Sequence, residues 1–387
     1  MRLIITLALS IFVLMSCEKD NFTTDKKEGK KGKKENLLDS IEQKQEFDAP
    51  FVFTKGDSVY LKRILKSSTN SDLLTKTFSK PANAEFEFTV FINHINKDYK
   101  DFKVKIKPNV AFKHEAEWKT NEQILVVSDY EGEFFHMVDF LISAQVIDDN
   151  YNWKFGNKHV VFLGDLFDRG SMVHECLWLL YKWESEGANI HMLYGNHEIM
   201  NISGNQTNYI AEKYKQALKP LGFEAIQQMY QANSILGAWL RKQNAMEKGN
   251  DILFVHGGIS EKLFESQKDF SIAKTNQIVQ RNLDNPKNEE SAPFLRSSSA
   301  LTWFRGYFRK PQQDPKVLEK VLKHFDARLI CVAHTVQPKA GLSYNGKVAC
   351  TDVNVHKGQK EGLLFDQKDI FRIEVKEKHT ASVKTKL

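Results

Sequence analysis

Cysteine is scarce in this chain, with four in 387 residues, and none of the four has the spacing of a zinc site. Also missing is any apolar run of roughly 20 residues, the length a helix needs to cross a bilayer. The longest candidate, Leu3 to Met15, is too short, which excludes a helical membrane-spanning protein, and no internal repeat suggests a solenoid. Charge of one sign is not dominant either: 55 Lys and Arg stand against 49 Asp and Glu, a formal charge of +6. Part of that excess is the run KKEGKKGKK at Lys26 to Lys34. Flexible linkers have this composition, so the charge gives no reason to expect a nucleic-acid partner. What remains is a chain 41% hydrophobic and 27% charged, long enough to bury one large core, or a core plus a smaller accessory domain.

The first residues read as a secretory leader: Arg2, then the apolar run, then Ser16 and Cys17. Leu14-Met15-Ser16-Cys17 resembles a bacterial lipobox, which implies a signal peptide over 1–16, cleavage before Cys17 and lipidation of that cysteine. Residues 17–46 would then be a charged tether, and the expected location is the bacterial cell envelope, lipid-anchored to a membrane. With Cys17 lipidated, Cys176, Cys331 and Cys350 can make one disulfide at most. Cys331 and Cys350 lie in apolar runs that read as neighbouring strands, where buried free thiols are the commoner occurrence.

Residues 47–117 read as a small β-rich accessory region. Phe86, Phe88 and Val90 alternate with polar residues, as do Phe102, Val104 and Ile106 across the polar turn Asn96 to Asp101, the pattern of an antiparallel hairpin. Such a region could pack against the rest of the fold or recognise a partner. From Ile124 onward strands alternate with helices, so the expected class is α/β. Helices are expected at Phe134 to Ile147, Met172 to Glu186 with Gly187 as C-cap, and Lys316 to Phe325 with Asp314-Pro315 as N-cap and first position. Residues 207–243 lack strand character and read as a helical insertion, a possible cap over a site. The stripe Trp178, Tyr181 and Trp183 reads as helix packing, and residues 377–387 as a tail.

Five short segments carry the chemistry: VVSDYEG, FLGDLFDRG, MLYGNHE, FVHGG and CVAHT. Each has a metal-type ligand just after an apolar strand: Asp129 after Ile124 to Val127, Asp165 after His159 to Leu163, Asn196 after Ile190 to Leu193, His256 after Ile252 to Val255, and His334 after Leu329 to Val332. Open α/β sheets bind ligands beyond the carboxyl ends of their strands, so the five can converge. One such residue alone is usually a capped or solvated loop residue; five in series are not explained that way. His136, His159, His174, His191 and His356 have no such company and read as ordinary core or surface residues.

This order of motifs resembles the calcineurin-like metallophosphoesterases. GDLFDRG and GNHE are similar to the phosphoprotein-phosphatase branch, and GNHEIMNISG with TWFRGY at Thr302 to Tyr307 looks most like the Shewanella-like bacterial phosphatases. The resemblance covers about Ile124 to Asp352. It implies a layered β-sandwich flanked by helices over 118–376, and hydrolysis of phosphomonoesters by a hydroxide activated between two divalent metal ions.

Such chemistry needs a carboxylate that bridges the ions, roughly 3.5 to 4 Å apart. Asp165 is the natural bridge, with Asp129 and Glu131 expected on one ion and Asn196, His256 and His334 on the other. The mixture of imidazole and oxygen donors suits Mn, Fe or Zn better than calcium; Mn or Fe is expected first, with Zn or Mg as further options. His197 is the expected general acid, Asp168 its orienting partner, and Arg169 and Arg305, with Asn196, the expected phosphate-binding groups. Most relatives carry histidine where this chain has Glu131, which makes that subsite harder and more anionic. The expected partner is a phosphorylated protein, on phosphoserine or phosphothreonine. The rivals are a nucleotide or small-molecule phosphatase or pyrophosphatase of the envelope, and a lipoprotein that binds phosphorylated ligands without hydrolysing them.

Overall fold

The computed structural model describes residues 46–67, 72–106, 112, 115–205, 208–377 and 380–387. The leader, Cys17 and the tether up to residue 45 lie outside the described residues. No helix among the described residues is long and apolar enough to cross a membrane.

Two six-stranded sheets form the sandwich. One is ordered Gly341–Ser343, Val348–Cys350, Leu329–Val332, Ile252–Val255, Met246–Gly249, Glu117–Trp118; the other is Val383–Lys386, Asp369–Glu374, Glu361–Asp366, Ile124–Val127, His159–Phe162, Asn189–Met192. The central strands Ile124–Val127, Ile252–Val255 and Leu329–Val332 are apolar throughout because both of their faces are covered. Ile124 and Val126 lie in the cluster between the sheets with Phe254, Cys331 and Leu363, while Leu125 and Val127 join the cluster that includes the flanking helices. Burying each such side chain contributes about 1.5–3 kcal/mol, so alternation decides the layer and the apolar run decides that there are layers on both sides. Ile124–Val127, His159–Phe162 and Asn189–Met192 pair in parallel, as do Ile252–Val255, Leu329–Val332 and Val348–Cys350. Every one of the five ligand-bearing segments therefore leaves its sheet at a carboxyl end.

The N-terminal strands Phe51–Lys55, Ser58–Lys66 and Leu73–Pro81 form a three-stranded sheet, and Phe86–Val90 pairs with Phe102–Ile106 as the alternation predicts. Of the two roles open to this region, it takes the packing one. Phe88 meets Trp178 edge-on at 4.9 Å, and Trp178 Nε1 donates to the Pro50 carbonyl at 2.8 Å. Asp48 is buried against His174 (2.9 Å) and Lys213 (2.7 Å). Trp178, Tyr181 and Trp183 are all buried packing residues.

Several boundaries differ from expectation. The first helix ends at Ser143 rather than Ile147, because Gln145 turns to φ +60° and Ile147 bridges Trp153. Residues 377–387 are not merely a tail: Val383–Lys386 adds an edge strand to Asp369–Glu374. Asp314 caps its helix as expected, accepting from Lys316 N at 2.8 Å. Cys331 and Cys350 occupy neighbouring strands as free buried thiols.

One helix contact makes stability pH-dependent. Glu184, at the end of helix Val173–Ser185, accepts from Trp239 Nε1 at 2.6 Å, and burial pushes its carboxyl up to about 7. A carboxyl raised on folding contributes most below its unfolded value near 4.5 and loses that contribution as pH climbs through 7. Melting temperature should therefore fall across this window, and Glu184→Gln should flatten the fall; parallel melting curves from pH 5 to 8 would count against it.

Candidate active site

The backbone at the sheet ends is strained in a telling pattern. Of thirteen non-glycine residues with positive φ among the described residues, six are Asp129, Glu131, Asp165, Asp168, Arg169 and His334. Each costs of order 1–3 kcal/mol, which persists where surrounding structure enforces it, typically at functional sites. The motif glycines are part of that enforcement. A Cβ on Gly195 would come within 2.6 Å of Asp165 N and closer still to its carboxylate, and one on Gly164 would strike the Gly195 backbone. Only two glycines let the GDLFDRG and GNHE turns approach this closely.

Glu198 fastens these turns together. Its fully buried carboxylate accepts from Gly195 N (2.7 Å), Asp165 N (2.9 Å) and Leu166 N (2.8 Å). The acidic residue of GNHE thus holds the loop that carries Asp165, a role its place in the motif did not reveal.

Asp165 is the geometric centre. Its Oδ1 accepts from His197 N at 3.0 Å, and its Oδ2 lies 3.1 Å from His256 Nε2. It belongs to both clusters of potential metal ligands, Asp165 with His256 and His334, and Asp165 with Glu131 and His197, each with ligand atoms within 4.8 Å of one another. Asn196 Oδ1 is 3.2 Å from His256 Nε2, and His256 Nδ1 faces the Leu163 carbonyl at 2.5 Å. That outer hydrogen bond sets the tautomer that leaves Nε2 as a ligand.

Electrostatics fit a divalent cation at this centre. Asp129 Oδ2 and His334 Nε2 are buried without a hydrogen-bond partner, a costly arrangement for polar atoms unless a further group engages them. Burial, with Asp165 adding to it, pushes Asp129 up to about 6, and burial together with Asp129 drives Asp352 well above its usual range. Burial would also raise Asp165, but His256 and His197 outweigh it and hold the carboxyl low. The donor set is therefore rich in buried carboxylates, and Asp352, which motif reading left out, is electrostatically linked to Asp129 and Asp165.

His197 is 4% exposed and its Nδ1 sits 2.5 Å from Asp168 Oδ2. Asn201 donates to Asp168 Oδ1 and to the His197 carbonyl, both at 3.0 Å. Burial tends to lower the imidazole pKa, but Asp165 and Asp168 prevail and raise it.

The remaining expected residues are at the site with unexpected partners. Arg169 forms an ion pair with Glu131, and Arg305 donates to the carbonyl of His334, with its second nitrogen 3.4 Å from His334 Nδ1. His356, read from sequence as an ordinary residue, is not one: Nε2 is 2.6 Å from Glu131 Oε2 and Nδ1 is 3.0 Å from Glu133 Oε1. It enters from the segment Val355–Lys357, 225 residues away along the chain, and no local motif marks it. His174 is in the buried Asp48 contact, and His159 and His191 stack on Trp118 far along the strands.

A carboxylate shared by two ligand clusters, set between two sheets beside a buried histidine–aspartate pair, defines a metal-dependent hydrolase. The calcineurin-like phosphoesterase family model matches residues 123–338, and the chain belongs to that family. It is a metal-dependent phosphoester hydrolase that uses divalent ions. Among its relatives, Shewanella-like protein phosphatase 2 of Arabidopsis thaliana is 25% identical over 293 residues, 62% of this chain and 73% of that protein. Shewanella-like protein phosphatase 1 of Plasmodium berghei is 26% identical over 57% of this chain and 63% of its own length. The crystal structure of a cold-active protein-tyrosine phosphatase from a psychrophilic Shewanella species superposes with a TM-score of 0.75 at 26% identity, covering 88% of this chain and 99% of that one.

Proposed function

We propose that this protein removes phosphate from phosphorylated protein side chains, with phosphotyrosine ahead of phosphothreonine. The observation that carries the reading is the match to a tyrosine phosphatase structure that covers 88% of this chain and 99% of that one. Phosphoserine and phosphothreonine, the expectation from sequence, remain substrates within this reading.

In this reading Asp129, Glu131 and Asp165 would hold one metal ion and Asp165, Asn196, His256 and His334 the other. When bound, the ions neutralise phosphoryl oxygens and make water a nucleophile at neutral pH. The chain's own residues do the rest. Arg169 exchanges part of its pairing with Glu131 for a bidentate hold on the phosphate. His197 donates a proton from Nε2 to the departing oxygen while Asp168 keeps the Nδ1 proton and the ring in place. Arg305 keeps the His334 backbone in its left-handed conformation.

Chelator-treated protein should lose turnover of p-nitrophenyl phosphate and of phosphotyrosine and phosphothreonine peptides, and regain it with Mn or Fe(II) before Zn or Mg. Restored hydrolysis of nucleotides alone would favour the envelope nucleotidase instead. Glu131→Ala should bind one metal equivalent fewer and lose most activity; undiminished stoichiometry by elemental analysis would make Glu131 solely an anchor for Arg169. Lipid anchoring is supported by Leu14-Met15-Ser16-Cys17, and Cys17→Ser should move the protein from the membrane to the soluble fraction of an expressing bacterium. Unaltered fractionation would leave the lipobox incidental.

A further inference from the structure

Tyr209 is an unusual residue to find beside a buried site. It belongs to the insertion expected to cap the sheet ends, yet the residue is 52% exposed. Its carbonyl accepts from Arg169 N at 2.7 Å. The Arg169 guanidinium lies over its ring at 4.7 Å from the centroid, and the His197 ring meets it edge-to-face at 5.5 Å and 62°. One aromatic side chain therefore touches both the proposed phosphate clamp and the proposed acid, and still presents surface to solvent.

The position follows from the chemistry. His197 protonates the departing oxygen, so the group that carries this oxygen must lie next to His197 on its accessible side. Tyr209 supplies an aromatic surface in contact with the His197 ring. We infer that Tyr209 is a specificity-determining residue, an aromatic platform against which the phenyl ring of a phosphotyrosine side chain packs. This rests on the protein-phosphatase reading and goes further by assigning the choice of side chain to one residue. Aromatic pairs are worth about 0.5–1.5 kcal/mol beyond area burial, which corresponds to about 2- to 10-fold in specificity. A threonine side chain has no ring to contribute and gains little of this.

Because Tyr209 also braces Arg169, its removal can harm every substrate. The discriminating readout is the ratio of kcat/KM for two peptides of identical sequence, one with phosphotyrosine and one with phosphothreonine. Tyr209→Ala should lower this ratio about 2- to 10-fold, mostly through KM, and Tyr209→Phe should retain it. Equal losses on both peptides, or an unchanged ratio, would overturn the inference and leave Tyr209 as a brace for Arg169. Free phosphotyrosine and phosphothreonine are assayed in parallel. If wild-type protein hydrolyses these but neither peptide, the protein-substrate reading fails, and the ratio measured on the amino acids still decides the role of Tyr209.

Discussion

Asp165→Asn is expected to empty both metal subsites at once and to reduce kcat on any phosphoester by more than about a hundredfold, since loss of a partner one shell further out already costs 10–100-fold. The reason is placement. Asp165 belongs to both ligand clusters, its two oxygens face different sides, and its backbone is held by Glu198. Asparagine keeps the volume and one acceptor but removes the charge that two cations would share. The substitution should also lower the melting temperature of the metal-free protein, because His256 and His197 hold the Asp165 carboxyl low and its neutralisation leaves buried imidazoles without their counter-charge. Metal analysis and a melting curve check both halves. A variant that still binds two equivalents would show that Asp165 is not the bridge.

The second large effect is on His197. General acid catalysis contributes typically 10²–10⁴-fold, and its value depends on how badly the leaving group needs a proton. His197→Ala should therefore lose on the order of 10²–10⁴ in kcat on phosphothreonine, whose alkoxide leaves poorly. It should lose much less on p-nitrophenyl phosphate, whose phenolate is stable unprotonated. Metal content should be close to that of the wild type. Equal losses on both substrates would assign His197 to metal or phosphate binding instead. Asp168→Asn offers a graded companion: it leaves the ring its hydrogen-bond partner while removing the charge that helps raise the imidazole pKa.

The positions of these two residues show how far a sequence can be read. Asp129, Asp165, Asn196, His256 and His334 were legible because each stands immediately after an apolar strand, and parallel pairing of those strands sends every loop to the same end of a sheet. His197 and Asp168 were legible through motifs whose glycines permit a turn no other residue could make. Glu131 was legible as a residue but not in its contacts, because a carboxylate can turn to a metal or to an arginine, and only folding brings Arg169 and His356 against it.

What the sequence by itself determined was the α/β alternation, the strand ends that carry the candidate ligands and the chemistry those residues share, which follow from periodicity and short-range spacing, while the layered sandwich was implied by the family resemblance. Tertiary structure alone decided the rest. It packed strands Phe86–Val90 and Phe102–Ile106 onto helix Val173–Ser185 rather than leaving them apart, paired Val383–Lys386 into a sheet edge, and brought His356 against Glu131 and Tyr209 against Arg169 and His197. The physical reason is common to all of these. Local pattern encodes which face of an element is buried, whereas a contact between residues far apart in the chain depends on how the buried faces of different elements meet.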